Sequence, residues 1–272
     1  MLARRELPED YRQWNSTWGA PDGQHRKAIE NLGRLPASVR EVVLRSPRVQ
    51  RERGPFAFQP NTSTRSYEYP WTYFQLANLG PSRILEIGGA LSGLQFVLAK
   101  DGHDVHNVDP FFDYGVGEYD VDPIAEHASL NRVFGTNVTL HRATLPEADI
   151  AGTFSAAICV STIEHLSSGD IEATLRAVKR LLAPGGLVVL TVDLFLNLTP
   201  FCSRTTNVWG SNASVAWIDE LLGYTMVAGD RSELYGYPEF STDQILSRLD
   251  EFAIGIYYPQ MAQLVSFKAP RV

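Results

Sequence analysis

Cysteine is scarce in this sequence, positive charge is the minority sign, and no apolar run is long; each shortage removes a class of protein. Cys159 and Cys202 are the only cysteines, too few for a disulfide framework or a cysteine-built metal site, and no metal is expected. No stretch approaches the ~18 unbroken apolar residues of a membrane span. The opening MLARRELPEDYRQW lacks the apolar core of a secretory signal. The expectation is a cytoplasmic protein without a membrane partner. Lysine and arginine number 24 against 31 acids, a net charge of -7, whereas a nucleic-acid partner calls for a basic surface that displaces counterions. No nucleic acid is expected. The basic residues gather early: the first 80 residues balance at +4 and the remainder at -11. Arg40, Arg45, Arg48, Arg51 and Arg53 read either as the solvated side of a helix and its exit or as a docking patch for an acidic partner.

What is present is 272 residues, 44% of them hydrophobic, enough for a large core. Residues 1–80 read as an irregular, aromatic-rich cap with one helical stretch near 37–48 that a Pro-Arg pair interrupts. From 81 to 272 the texture becomes rhythmic. RILEIG (83–88), DVHNVD (104–109), NVTLHR (137–142), FSAAICVS (154–161) and LVVLTVD (187–193) read as strands, separated by helical patterns over 92–102, near 123–134 and over 170–182. A looser tail adds helices near 214–222 and 241–249 and strands at 225–228 and 262–267. Strands alternating with helices imply right-handed βαβ units, hence an α/β fold with a doubly wound, mostly parallel sheet of seven strands.

In such a sheet ligands lie outside the carboxyl ends of the strands, and the residues there are informative. Glu86-Ile87-Gly88-Gly89-Ala90-Leu91-Ser92-Gly93 makes a glycine turn after the first strand, and Asp109 ends the second about 20 residues later, where an acid can hold a ribose diol. Gly88, Ala90 and Gly93 also satisfy a degraded dinucleotide fingerprint, so an NAD-dependent oxidoreductase is the rival reading. Glu86 discriminates. A carboxylate beside the turn repels a pyrophosphate in a partly desolvated crevice and attracts a cation.

RILEIGG, VDP after the second strand, ICVSTIEHL after the fourth and LLAPGGLVVL into the fifth together resemble the class I S-adenosylmethionine-dependent methyltransferases over roughly residues 80–195. The resemblance implies a Rossmann-like fold and S-adenosyl-L-methionine as cofactor. It implies that Glu86, Gly88, Gly89, Ala90 and Gly93 lie against the methionine part, that Asp109 with Pro110 takes the ribose, that Phe111 covers the adenine, that Thr144 and Leu145 flank the adenine edge, and that Ser161 sits below the sulfonium. Two departures stand out: Ala90 and Ser92 replace common glycines, and Arg142-Ala143-Thr144 lacks the usual aspartate. A regulator of the same fold without catalysis is the second rival.

Methyl transfer is an in-line displacement that asks the protein to position an acceptor and, for a hydroxyl, to remove its proton. His165, following the fourth strand beside Glu164, is the candidate base, with loop shaping as the alternative role. Tyr67, Tyr69, Glu164 and Trp209 are candidates for the acceptor site. The aromatics of the first 80 residues read as a lid over the acceptor or as packing against the sheet. The expected acceptor is a small molecule methylated at a hydroxyl oxygen.

Overall fold

A computed structural model describes residues 1–25, 36–111 and 122–271. Its centre is a seven-stranded sheet of order β3-β2-β1-β4-β5-β7-β6: β1 Arg83–Ile87, β2 Asp104–Val108, β3 Thr139–His141, β4 Phe154–Val160, β5 Leu182–Phe195, β6 Thr225–Ala228 and β7 Gln260–Lys268. The first five run parallel, and β7 pairs antiparallel with both β5 and β6. This is the expected doubly wound α/β sheet. The order reverses between β1 and β4, which opens a crevice at their carboxyl ends.

Side-chain alternation along the strands divides the core into two layers. In β4, Ala157 and Cys159 face the layer closed by α7 (Ser168–Leu181) and α8 (Val215–Leu222), which contribute Ile171, Leu175, Val178 and Ile218. Ala156 and Ile158 face the other layer, closed by α5 (Gly93–Lys100) and α6 (Pro123–Phe134) through Leu94, Phe96 and Leu130. In β1 the same alternation sets Glu86 on the side of Ile84, so the acid is 1% exposed. Local signals fix these helices. Asp122 caps α6 by accepting the Ile124 N–H, and Gly135 ends it in the left-handed conformation.

The first 80 residues contain more helix than their sequence suggests: α1 Glu9–Trp18, α2 Ala37–Leu44, α3 Pro47–Arg53 and α4 Arg65–Gln75. The break between α2 and α3 falls at the anticipated proline. Arg48 pairs with Glu52 at 3.0 Å, Arg51 donates to the Val133 carbonyl and Arg53 to the Ala57 carbonyl. Helix α4 was masked in sequence by Pro70, which lacks the N–H that would reach the Ser66 carbonyl. Asn15 on α1 replaces it, its Nδ2 donating to Ser66 O at 2.7 Å. Trp14, Tyr67, Tyr69 and Trp71 are buried in the α5 layer, with Trp14–Phe56 and Phe56–Tyr69 ring centroids 5.5 and 4.9 Å apart. Residues 2 and 4 bridge to Gln263 and Phe252, continuing the sheet edge where β6 stops.

Candidate active site

The βα turn after β1 is organised around Glu86. Its Oε1 accepts from Ser92 Oγ at 3.0 Å, while Oε2 is buried with no hydrogen-bond partner among the described residues. Burial pushes the carboxyl up to about 8, against the Ser92 bond that favours ionisation. The buried acid therefore favours its protonated form at neutral pH. Gly89 is needed here because a Cβ at that position would lie 2.7 Å from Glu86 Cδ and 2.8 Å from Asn107 Oδ1. Asn107 stitches the turn to β2: Oδ1 accepts the Gly89 N–H and Nδ2 donates to the Ala90 carbonyl.

Asp109, 2% exposed, accepts the Ala90 N–H on Oδ2 at 2.8 Å and the Phe111 N–H on Oδ1 at 2.7 Å. Burial raises its pKa, opposed by those two bonds. Each oxygen keeps a second lone pair, the acceptors a ribose diol requires. Ala90, Phe111 and Ser161 hold positive φ of 43°, 51° and 42°. Non-glycine residues in that region carry strain of the kind that collects at ligand sites.

Beside the turn is a cavity of about 150 Å³ whose walls include Glu86, Gly88, Gly89, Ala90, Asp109 and Ser161 from the sheet ends, with Gln59, Arg65 and Tyr69 reaching in from the first 80 residues. A second cavity of about 130 Å³ adjoins it, lined by Asp193, Phe195, Tyr257, Tyr258 and Gln260. Arg65, His165 and Trp209 border both.

A buried polar network forms the floor. Arg65 Nη1 pairs with Glu68 Oε2 at 2.5 Å and donates to Ser161 Oγ at 2.6 Å; the hydroxyls of Ser161 and Thr191 both donate to Glu68 Oε1 at 2.6 Å. Burial alone would raise Glu68, yet Arg65 and these hydroxyls outweigh it and hold the acid low. Asp193 takes the Gln260 amide at 2.7 Å. Burial, then the charge of Glu164, raises Asp193 well above its ordinary range, and burial lifts Glu164 to about 7. His165 Nδ1 bonds to the Trp209 carbonyl; a carbonyl only accepts, so Nδ1 carries the proton. Nε2 lies 3.9 Å from Glu164 Oε1. Burial lowers the imidazole pKa, keeping it neutral. The loop bearing Trp209 approaches this closely because Gly210, at φ +132°, packs against the Glu164 backbone carbonyl, leaving no room for a side chain.

Of the residues picked out in sequence, Glu86, Gly88, Gly89, Ala90, Asp109, Ser161, Tyr69, His165 and Trp209 border the first cavity. The rest do not. Gly93 opens α5 under the Phe56 ring. Pro110 and Phe111 follow Asp109, and Phe111 packs toward the α5 layer. Leu145 is buried in the α7 layer, and Thr144 Oγ1 is bonded to Glu147, in the turn that follows the end of β3 at His141. Tyr67 packs edge-on against Tyr11 at 5.0 Å, and Glu164 is 1% exposed beneath the cavity walls. Gln59, Arg65, Asp193, Tyr258 and Gln260 were not anticipated. Asp193 carried a signal, since it ends LVVLTVD as Asp109 ends DVHNVD.

Sheet order and a glycine turn facing a crevice define a Rossmann-like domain that binds a nucleotide-bearing cofactor. The family described as "Methyltransferase domain" matches residues 62–219, and the chain belongs to it as a class I S-adenosylmethionine-dependent methyltransferase. That places the NAD-dependent reading aside. No curated protein matches the sequence. Among solved structures, N-methyltransferase NodS from Bradyrhizobium japonicum WM9 in complex with S-adenosylhomocysteine is similar at TM-score 0.51 and 16% identity, over 97% of this chain and 100% of that one. The 1,6-didemethyltoxoflavin-N1-methyltransferase of Burkholderia thailandensis gives 0.50 and 14% over 99% and 95%. The [4+2]-cyclase SpnF gives 0.55 and 12% over 85% and 94%. These likenesses concern the fold. No helix among the described residues is long and apolar enough to cross a membrane.

The residues present fit S-adenosylmethionine. Glu86 Oε2 is an orphaned buried acceptor suited to an ammonium, Gly89 leaves a cradle that a Cβ would fill, and Asp109 retains lone pairs for a diol.

Proposed function

We propose that the chain moves the methyl group of S-adenosylmethionine to a hydroxyl oxygen of a small molecule, with His165 as base. The observation that carries this reading is that His165 borders both cavities, its Nδ1 pinned by the Trp209 carbonyl. The first cavity takes the cofactor, held by Glu86, Gly88, Gly89, Ala90 and Asp109; the second takes the acceptor. When bound, the cofactor supplies an electrophilic methyl on a sulfonium that departs as a neutral thioether. His165 Nε2 takes the hydroxyl proton, and Trp209 and Arg65 hold the acceptor at the junction of the cavities. Residues 1–80 act as the cap that excludes water, supported by Gln59, Arg65 and Tyr69 lining the first cavity; residues 81–272 form the cofactor domain. Cys159 and Cys202 are free thiols, which suits a cytoplasmic site of action.

The test is incubation of the enzyme with isotopically methyl-labelled cofactor and a small-molecule extract, followed by mass spectrometry. The expected product gains one CH2 unit, carries the label on oxygen and disappears with His165→Ala. Label on nitrogen or carbon removes the hydroxyl assignment. Cofactor binding without any labelled product favours a binding member of the fold.

A further inference from the structure

We infer that Arg65 binds the carboxylate at the amino-acid end of S-adenosylmethionine, so that a residue from outside the sheet supplies the positive charge that the glycine turn lacks. This rests on the reading above, which sets the cofactor in the first cavity.

The amino-acid end of the cofactor is zwitterionic. Glu86 suits its ammonium, whereas its carboxylate calls for N–H or O–H donors. The turn has already spent its own. The N–H groups of Gly88, Gly89, Ala90, Leu91 and Ser92 donate in turn to the Val108 carbonyl, Asn107 Oδ1, Asp109 Oδ2, Gln59 Oε1 and the Gly89 carbonyl, at 2.7–3.2 Å. Hydroxyls lining the same cavity are committed as well: Ser92 donates to Glu86, Ser161 to Glu68 and Tyr69 to Asn61 Oδ1.

Among the described residues that line the first cavity, Arg65 is the single arginine or lysine. A guanidinium carries five N–H donors. Nη1 uses its pair on Glu68 Oε2 at 2.5 Å and Ser161 Oγ at 2.6 Å, while Nε and Nη2 make no hydrogen bond with the described residues. The Nε–Nη2 edge is a fork that matches a carboxylate through parallel bonds. The acceptor meets the same side chain from the second cavity, which Arg65 also lines.

The fork is fixed before a ligand arrives. Glu68, 0% exposed, holds Nη1 and is itself held by the Ser161 and Thr191 hydroxyls. Helix α4 is tied to the glycine turn through Gln59, whose Nε2 donates to the Tyr69 hydroxyl and whose Oε1 accepts the Leu91 N–H. Donors already held in place lose little freedom on binding. Glu68 is thereby a positioning residue: it sets the guanidinium in the cavity and leaves the Nε–Nη2 edge open.

The test measures binding to the full chain by calorimetry. The probes are S-adenosylhomocysteine, its decarboxylated analogue S-adenosyl-3-thiopropylamine, and 5′-methylthioadenosine, which lacks both charged groups. Wild-type protein is expected to bind S-adenosylhomocysteine about ten-fold or more tighter than the decarboxylated analogue, as charge-assisted hydrogen bonds imply. Arg65→Gln combined with Glu68→Gln removes both members of the buried pair, so neither charge is stranded; there the two ligands bind within about two-fold of each other, and methylthioadenosine binds as in wild type. Arg65→Lys keeps a charge against Glu68 but loses the fork, and cuts the preference about three-fold or more. Absence of the preference in wild type overturns the proposal without any variant, as does full preference in either variant. Asp109→Ala separates the two readings. Unchanged methylthioadenosine affinity in that variant puts the adenosine outside the first cavity and removes the reading beneath the proposal. Weakened methylthioadenosine binding, with a carboxylate preference that survives the loss of Arg65, removes only the Arg65 assignment.

Discussion

Ser92 Oγ donates to Glu86 Oε1 at 3.0 Å and in the same position accepts the Leu94 N–H at 3.2 Å. One hydroxyl thus starts helix α5 and steadies the buried acid of the cofactor turn. Where the family commonly has glycine, this chain gains both functions from serine. Ser92→Gly removes both bonds while keeping the turn. The expected loss is about 1–3 kcal/mol of stability, from a missing cap and a second unpaired oxygen on Glu86, read by urea unfolding. Weaker S-adenosylhomocysteine binding with unaltered stability would remove the capping role.

With the cofactor's ammonium set against Glu86, as proposed, cofactor binding is proton-linked. The Glu86 carboxyl, near 8 in the free protein, is mostly protonated at neutral pH, and an ammonium set against it favours ionisation. Below about pH 8 binding therefore releases a proton, and affinity climbs with pH before levelling above that value. Calorimetry in two buffers of different ionisation enthalpy measures the release. Glu86→Gln binds more weakly and releases none. The same shift bears on folding: between the ordinary 4.5 and about 8 the folded acid holds a proton that the unfolded chain has lost, so this acid's contribution makes stability fall as pH rises through that window. In Glu86→Gln that component of the decline is absent.

His165→Ala is expected to lower turnover about 100-fold or more with S-adenosylhomocysteine affinity nearly intact. Because burial depresses the imidazole pKa, the acid limb of kcat lies below the ordinary histidine range of 6.5. A limb at or above that value assigns the titration to another group. Full activity of the alanine variant would retire His165 as base.

Asp109 braces the turn and, in the proposed reading, also holds the ribose, two tasks that its substitutions separate. Both oxygens brace the turn through Ala90 and Phe111, and both retain lone pairs for a diol. Asp109→Ala is expected to cost about 1–3 kcal/mol in cofactor binding and a similar amount in stability. Asp109→Asn keeps one braced oxygen and recovers part of the stability but little of the affinity. Recovery of both together reduces Asp109 to a turn brace, with the ribose elsewhere.

Much of the sheet was legible because its signals are local. Asp122 and Gly135 bracket α6, and Ile171, Leu175 and Val178 mark the buried face of α7 at helical spacing. Glu86, Asp109 and Ser161 were legible because strand ends are where a doubly wound sheet binds ligands. Thr144 and Leu145, chosen by the same logic, follow a strand of only three residues and do not border the first cavity. Arg65, Gln59, Tyr258 and Gln260 come from segments with no periodic relation to the crevice. Their arrival depends on the packing of α4 and on the approach of β7, which no short-range pattern encodes.

Helix α4 carries Arg65 and Tyr69 into the crevice, and its continuity past Pro70 depends on α1. The Ser66 carbonyl, deprived of its helical donor, accepts from Asn15 Nδ2 at 2.7 Å, and Asn15 is only 9% exposed. Asn15→Ala leaves that carbonyl unpaired in a partly buried site and is expected to cost about 1–3 kcal/mol. Pro70→Ala restores an N–H in the position a regular helix uses, so in that background the loss of Asn15 is tolerated. The carbonyl has two lone pairs, so Pro70→Ala alone creates no conflict with Asn15. The double-mutant cycle by urea unfolding is therefore expected to show coupling of about 1 kcal/mol or more, with the pair more stable than the sum of the single changes. Strict additivity would mean that Ser66 finds another donor and that α4 bends around its proline without help from α1.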